Sequence, residues 1–196
     1  MGGENRKIVA IASSTGGPRA LQTLISMIPG DLGVPVLIVQ HMPVGFTEAL
    51  ARRLDSVSEL KVVEATDGEA LLANTAYLCR GGIHMNVEYR GFRHCIRYSN
   101  EPPREGVKPC ANYMFESLGD SRYEEIVCAV LTGMGADGTE GIGHLIRKKS
   151  VYVIAQNADS CAVYGMPKSA VNAGIVDKVL TLTQIANEIT MKVRQG

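Results

Sequence analysis

Lys7-Ile8-Val9-Ala10-Ile11-Ala12-Ser13-Ser14-Thr15-Gly16-Gly17-Pro18 is the stretch from which the architecture of this chain can be read. Residues 7–12 form a β-branched apolar run, the composition of a buried strand. The run stops at Ser13-Ser14-Thr15-Gly16-Gly17, small and flexible residues that mark a tight turn. Pro18 then opens a segment in which Leu21, Leu24, Ile25 and Ile28 recur at i, i+3, i+4 and i+7, the period of a helix with one buried face. The unit is strand, turn, helix.

Outward from this unit the pattern repeats. Residues 34–40 are a second apolar run ending at His41, and Phe46, Leu50, Leu54 and Val57 then follow at helical spacing. A third run, residues 60–64, leads into the turn signal Thr66-Asp67-Gly68. Residues 85–98 differ: Val87 and Tyr89 alternate with polar residues, Arg90-Gly91 supplies a turn, and Phe92, His94, Ile96 and Tyr98 alternate on the return, which predicts a β-hairpin. A proline-rich loop, residues 100–109, precedes a predicted helix over 111–118. Residues 126–131 read as a buried strand that ends in Thr132-Gly133-Met134-Gly135-Ala136-Asp137-Gly138. Ile142, Leu145 and Ile146 then mark a helix face, residues 151–155 and 175–180 read as further strands, and Leu182, Ile185, Ile189 and Val193 give a closing amphipathic helix. Strands alternating with helical crossovers predict an α/β fold: a three-layer αβα arrangement around a mostly parallel, doubly wound sheet, with an antiparallel β-hairpin excursion.

At 196 residues, 45% hydrophobic and 20% charged, the chain is sized for one domain spanning 1–196, and disorder, collagen and coiled coil are excluded. Twenty Lys and Arg balance twenty Asp and Glu, so no overall field draws it to nucleic acid or to an anionic membrane. Its longest apolar runs fall far short of a membrane span, and residues 1–7 lack the apolar centre of a signal peptide, so a cytoplasmic location is expected. Five cysteines with no CxxC pair suit reduced thiols.

Ligand sites in open parallel sheets form outside the carboxyl ends of the strands. Ser14, His41 and Asp137 all fall at such ends, so a Ser-His-Asp triad is physically possible. In it Ser14 would attack, His41 would accept and return its proton, and Asp137 would fix the imidazole tautomer. The turn around Ser14 suits a nucleophile elbow, with the backbone N–H of Thr15 and one from the 133–135 loop as oxyanion donors. Each element has a plainer reading. The Ser-Thr-Gly-Gly turn suits a helix cap or a phosphate cradle, His41 a strand-end histidine, and Asp137 a helix N-cap. A nucleotide- or phosphate-binding α/β module without hydrolase activity is therefore the competing function, although the turn is neither G-x-G-x-x-G nor a P-loop with its lysine. The triad requires His41 within hydrogen-bond reach of both Ser14 and Asp137.

Five segments in order, residues 10–18, 39–43, 81–85, 131–138 and 155–167, resemble the signatures of the bacterial chemotaxis-receptor protein-glutamate methylesterase family, CheB, in its catalytic domain. The resemblance implies hydrolysis of γ-glutamyl methyl esters on chemoreceptor cytoplasmic helices with release of methanol, together with deamidation of receptor glutamines. By motif position it assigns Ser14 as nucleophile, His41 as general base, Asp137 as third member, and the Thr15 and Met134 amides as oxyanion hole. It implies no cofactor and no metal. The family usually carries an N-terminal receiver domain and a linker, and these 196 residues hold neither, which suggests a catalytic fragment or a stand-alone member. Ala12, Arg80, Cys110 and Asn112 depart from the residues common in the family, departures that bear on substrate preference, and Ser13 sets a second hydroxyl beside Ser14. His84 and His94 read as packing or surface residues and His144 as solvated. Arg90, Arg93, Arg97 and Arg104 read as a solvated basic face that could also meet an acidic receptor helix.

Overall fold

A computed structural model describes residues 6–195. Residues 1–5, most of the opening segment, lie outside the described residues. At the centre of a seven-stranded sheet stands β1 (Lys7–Ser13), flanked by β2 (Val36–Gln40) and β7 (Glu125–Val130). Beyond β2 come β4 (Thr75–Leu78) and the edge strand β3 (Lys61–Glu64), and beyond β7 come β8 (Ser150–Gln156) and β9 (Lys178–Leu180). Every pairing in this sheet is parallel. The hairpin β5 (His84–Arg90) and β6 (Arg93–Ser99) forms a separate antiparallel pair.

Alternation along β1 explains the two helical layers. Val9 and Ile11 enter a core shared with α1 (Gly17–Ile25), α2 (Thr47–Asp55) and α6 (Leu182–Arg194). Ile8, Ala10 and Ala12 enter a second core with α3 (Ala111–Leu118), α4 (Thr139–Ile146), α5 (Met166–Asn172) and the inner face of the hairpin. Both faces of the strand are covered, so β1 reads as continuously apolar and not as an alternating strand. The three-layer αβα expectation holds.

Several local expectations shift. Strand β4 and helix α5 have no counterpart in the sequence reading, because Thr75–Leu78 offers only four residues and Met166–Asn172 only two turns, too little for periodicity to register. The hairpin turn moves by one residue. Gly91 and Phe92 both have positive φ, 59° and 65°, which keeps Arg90 in β5 and leaves Phe92 exposed at the tip instead of facing the core. The final strand shrinks to Lys178–Leu180, with Ile175 and Val176 packing on the second core ahead of the ladder. Phe46 and Val57 flank α2 and are exposed. Among the described residues no helix is long and apolar enough to cross a membrane, and the five cysteines are free thiols.

From β1 the chain crosses to β2 through α1 on one face of the sheet, and from β7 it crosses to β8 through α4 on the other. The connections part between β1 and β7, which opens a crevice at the carboxyl ends of these strands. Ser14, His41 and Asp137 follow β1, β2 and β7 at that edge.

Candidate active site

The end of β1 separates two adjacent serines by environment. Ser13 is buried and its hydroxyl donates to Gln40 Oε1 at 2.6 Å. Ser14 is held by its main chain: its N–H donates to the Thr132 carbonyl at 2.9 Å, and its carbonyl accepts from the Gly17 N–H at 2.7 Å. Its hydroxyl makes no hydrogen bond among the described residues. Gly16 completes the turn with φ of +79°, against Ala162 and Thr132, where a side chain would be both strained and crowded. A Cβ at Gly17 would overlap Gln40 Oε1 and stand 3.0 Å from the Ser13 Cβ. Gly17→Ala is therefore expected to cost about 1–3 kcal/mol, seen as a lower urea midpoint with an unchanged slope.

A second loop closes over this turn. The Gly133 backbone approaches so closely that a Cβ there would lie 2.7 Å from that of Ser14. Thr132, buried, donates its hydroxyl to the Thr15 carbonyl at 2.9 Å, accepts the Val163 N–H at 3.0 Å, and donates its own N–H to Gln156 Oε1 at 2.8 Å. The Gly133 carbonyl receives the N–H groups of Gly165 and Met166 at 3.0 and 2.8 Å. These bonds fix the 132–134 segment against the elbow. The N–H groups of Thr15 and Met134 donate to no other group among the described residues, and Met134 is 73% exposed. Two free donors beside a free hydroxyl are what an oxyanion hole requires. Cys161 lines a cavity of about 430 Å³ next to Gly16 and Thr132, while Met166 is buried against Gly133.

His41 and Asp137 meet. The imidazole Nε2 lies 2.6 Å from Asp137 Oδ2, with side chains only 10% and 2% exposed. The carboxylate sits over the first turn of α3, where Oδ2 also accepts the Ala111 N–H at 2.6 Å. Oδ1 accepts the Asn112 N–H at 2.9 Å and the Cys110 thiol at 3.0 Å. Burial acts to raise the pKa of Asp137, but the bonds from His41, Cys110 and Ala111 outweigh it and hold the group below the ordinary carboxylate value. An ionised Asp137 takes the Nε2 proton as its donor, which leaves Nδ1 as the basic nitrogen of His41. No hydrogen bond joins His41 to the Ser14 hydroxyl among the described residues. Contacts of this kind commonly close only with substrate in place.

The partners of Asp137 were not legible as functional in the sequence. Cys110 and Asn112, expected to bear on substrate preference, instead lie beneath Asp137. Asn112 additionally accepts the N–H groups of Gly138 and Gly141 through Oδ1, at 3.0 and 2.7 Å, and so ties the Asp137 loop to α3. Burial and the neighbouring Asp137 charge push the Cys110 thiol far up, so it stays a neutral donor. Ala12 is a core methyl, and Arg80 pairs with Glu64 on the surface. The arginines around the hairpin do not form one free basic face: Arg104 is engaged by Glu116 and Glu140, and Arg97 by Asp67. His144 is not simply solvated but pairs with Glu116 at 2.8 Å. His94 is buried and stacks on Tyr123, and His84 is buried between the Cys110 N–H and the carbonyls of Glu101 and Pro102.

These groups set the acid response of the fold. Burial holds the pKa of His84 below its ordinary 6.5, so the unfolded chain takes up a proton there before the folded chain does. The stability it contributes is complete above 6.5 and is lost as pH falls below it. Glu116 lies low because bonds from Arg104 and His144 outweigh burial, and with Asp137 it adds stability that is lost further down, as pH falls below the ordinary carboxylate range. The melting temperature should therefore fall from neutrality toward pH 5 and more steeply below about pH 4. His84→Gln, melted across the same range, should start lower and lose the shallower first slope.

The family model described as CheB methylesterase matches residues 9–189. A protein of Oceanobacillus iheyensis named protein-glutamate methylesterase/protein-glutamine glutaminase is 46% identical over 186 residues, covering 94% of this chain and 53% of its own. The protein of the same name from Bacillus subtilis is 44% identical over 195 residues, covering 98% and 54%. The chain spans about half the length of the curated relatives it matches. The crystal structure of the Thermotoga maritima CheB methylesterase catalytic domain superposes with a TM-score of 0.91 at 36% identity, over 95% of this chain and 98% of that one. A family match across nearly its whole length, joined to the sheet architecture of the solved catalytic domain, makes this chain a member of the CheB methylesterase family.

Proposed function

We propose that residues 1–196 are a single catalytic domain, a cytoplasmic serine hydrolase that removes methyl groups from γ-glutamyl methyl esters on bacterial chemoreceptor helices and deamidates receptor glutamines. The observation that carries this reading is the ionised, buried Asp137 gripping His41 Nε2, on a strand end adjoining that of Ser14, whose hydroxyl has no hydrogen bond among the described residues while that of Ser13 is committed. A phosphate cradle would use only the turn at Gly16 and Gly17 and has no need of the His41–Asp137 pair.

The reaction follows from these positions. Ser14 Oγ attacks the ester carbonyl carbon as His41 Nδ1 takes its proton, and the carbonyl oxygen becomes an oxyanion held by the Thr15 and Met134 N–H groups. The tetrahedral adduct collapses, the carbon–oxygen bond to methoxide breaks, and His41 returns the proton so that methanol leaves. Water then attacks the acyl-Ser14 ester with His41 again as base, freeing the glutamate side chain and restoring the serine. With a glutamine substrate the same steps expel ammonia. Methanol release from methylated chemoreceptor membranes tests the reading. Release at a rate proportional to enzyme is expected, and ammonia release without methanol would restrict the activity to deamidation. Absence of both from folded protein would sink the proposal.

A further inference from the structure

Gln40 occupies the last position of β2, one residue before the proposed base, and it is buried. Its side-chain nitrogen donates to two main-chain carbonyls at once, that of Ser14 at 2.9 Å and that of His41 at 3.0 Å. Its oxygen accepts the Ser13 hydroxyl at 2.6 Å. We infer that Gln40 is a positioning residue for catalysis: one side-chain amide sets the distance between the backbone segments that carry the nucleophile and the base.

The need for such a device comes from the topology. Ser13 and Gln40 are register partners, and the ladder ends with the His41 N–H donating to the Ser13 carbonyl at 3.0 Å. Beyond it the two segments diverge toward different helices, α1 from Gly17 and α2 from Thr47, and no further ladder bond ties Ser14 to His41. The Gln40 amide bridges them at that point. Glutamine is suited to this place because both N–H bonds are consumed by the two carbonyls while the oxygen satisfies Ser13; a glutamate ion has no donor and a lysine no acceptor. The absence of a side chain at Gly17 leaves the space in which the amide lies. Since the Ser14 hydroxyl and the His41 ring must approach within hydrogen-bond reach when substrate binds, an error of about 1 Å in their backbones is enough to lower the rate by about 10²-fold.

This inference rests on the triad reading, so its test uses a probe that reports Ser14 reactivity independently of the natural substrate. A fluorophosphonate, which phosphonylates an activated serine with loss of fluoride, is applied to wild type, Gln40→Met, Gln40→Glu and Ser13→Ala, and the Ser14 adduct is followed by mass spectrometry across pH. Methanol release supplies kcat and KM. Gln40→Met, which keeps bulk but loses all three bonds, should slow labelling and kcat by about 10²-fold with KM within about twofold. Gln40→Glu keeps the shape and, while protonated, one donor. It should retain more activity than Gln40→Met at low pH and lose that advantage as pH rises. Ser13→Ala, which leaves both carbonyl bonds intact, should stay within about tenfold of wild type.

The outcomes separate the two claims. No labelling of Ser14 in wild type overturns the hydrolase reading itself. Equal labelling of folded Gln40→Met and wild type overturns the role of Gln40 alone, as does a Gln40→Glu indistinguishable from Gln40→Met at every pH. If neither variant gives a cooperative melt, Gln40 is a structural residue and the positioning role fails.

Discussion

Ser14→Ala is expected to lower kcat for methanol release by about 10⁴- to 10⁶-fold, while its folding stability stays within about 0.5 kcal/mol of wild type. The asymmetry follows from the Ser14 hydroxyl, which has no hydrogen bond among the described residues, while its main chain keeps its contacts to Thr132 and Gly17 whatever the side chain. Ser13→Ala should behave in the opposite sense. That hydroxyl is buried and donates to Gln40 Oε1, so its loss leaves a buried acceptor unsatisfied and costs about 1–3 kcal/mol. Activity, by contrast, should survive at a measurable level. Rate and urea midpoint measured on both variants give a crossed pattern that no general perturbation reproduces. Abolition by Ser13→Ala with a working Ser14→Ala would move the nucleophile by one residue.

The adjacent serines also mark where the sequence stops being readable. Strand, turn and helix around Ser14 are visible because β1 is apolar on both faces and α1 repeats its Leu and Ile at helical spacing. The convergence of Ser14, His41 and Asp137 on one edge follows from strand ends alone. What stays hidden depends on side chains meeting across elements. Ser13 differs from Ser14 only because Gln40, on the next strand, reaches over to it. Besides His41, the donors to Asp137 come from the start of α3, roughly 25 residues earlier in the chain, and two of these three are main-chain N–H groups that carry no sequence signature. Strand β4 is illegible for a related reason: its four residues take their strand character from β2 and β3 on either side. His84 reads in sequence only as a packing or surface residue, and nothing there shows that both of its ring nitrogens serve the loop beneath Asp137.

Asp137→Asn changes a single atom type and is expected to reduce kcat by about 10⁴-fold, and the cause is the pattern of donors around the carboxylate. Oδ2 receives the His41 Nε2–H and the Ala111 N–H; Oδ1 receives the Asn112 N–H and the Cys110 thiol. An asparagine must place an NH₂ group at one of these positions, and each already faces a main-chain N–H that cannot reverse. With the NH₂ toward His41, Nε2 becomes an acceptor, the imidazole proton moves to Nδ1, and the nitrogen that should receive the Ser14 proton is blocked. With the NH₂ toward Cys110, the thiol can turn away but the Asn112 N–H is left facing a donor, and His41 loses the negative charge that stabilises its protonated form. The first arrangement removes the base, the second weakens it, and both leave a buried N–H unpaired at a cost of about 1–3 kcal/mol. The variant should therefore fold with a lowered midpoint. It should also lose the part of the acid-dependent stability that came from ionised Asp137, flattening the decline below about pH 4. Kinetics and melts across pH test both halves. A variant as active as wild type would remove Asp137 from the mechanism, and an unchanged acid profile would show that its carboxylate is not the charge on which the fold depends.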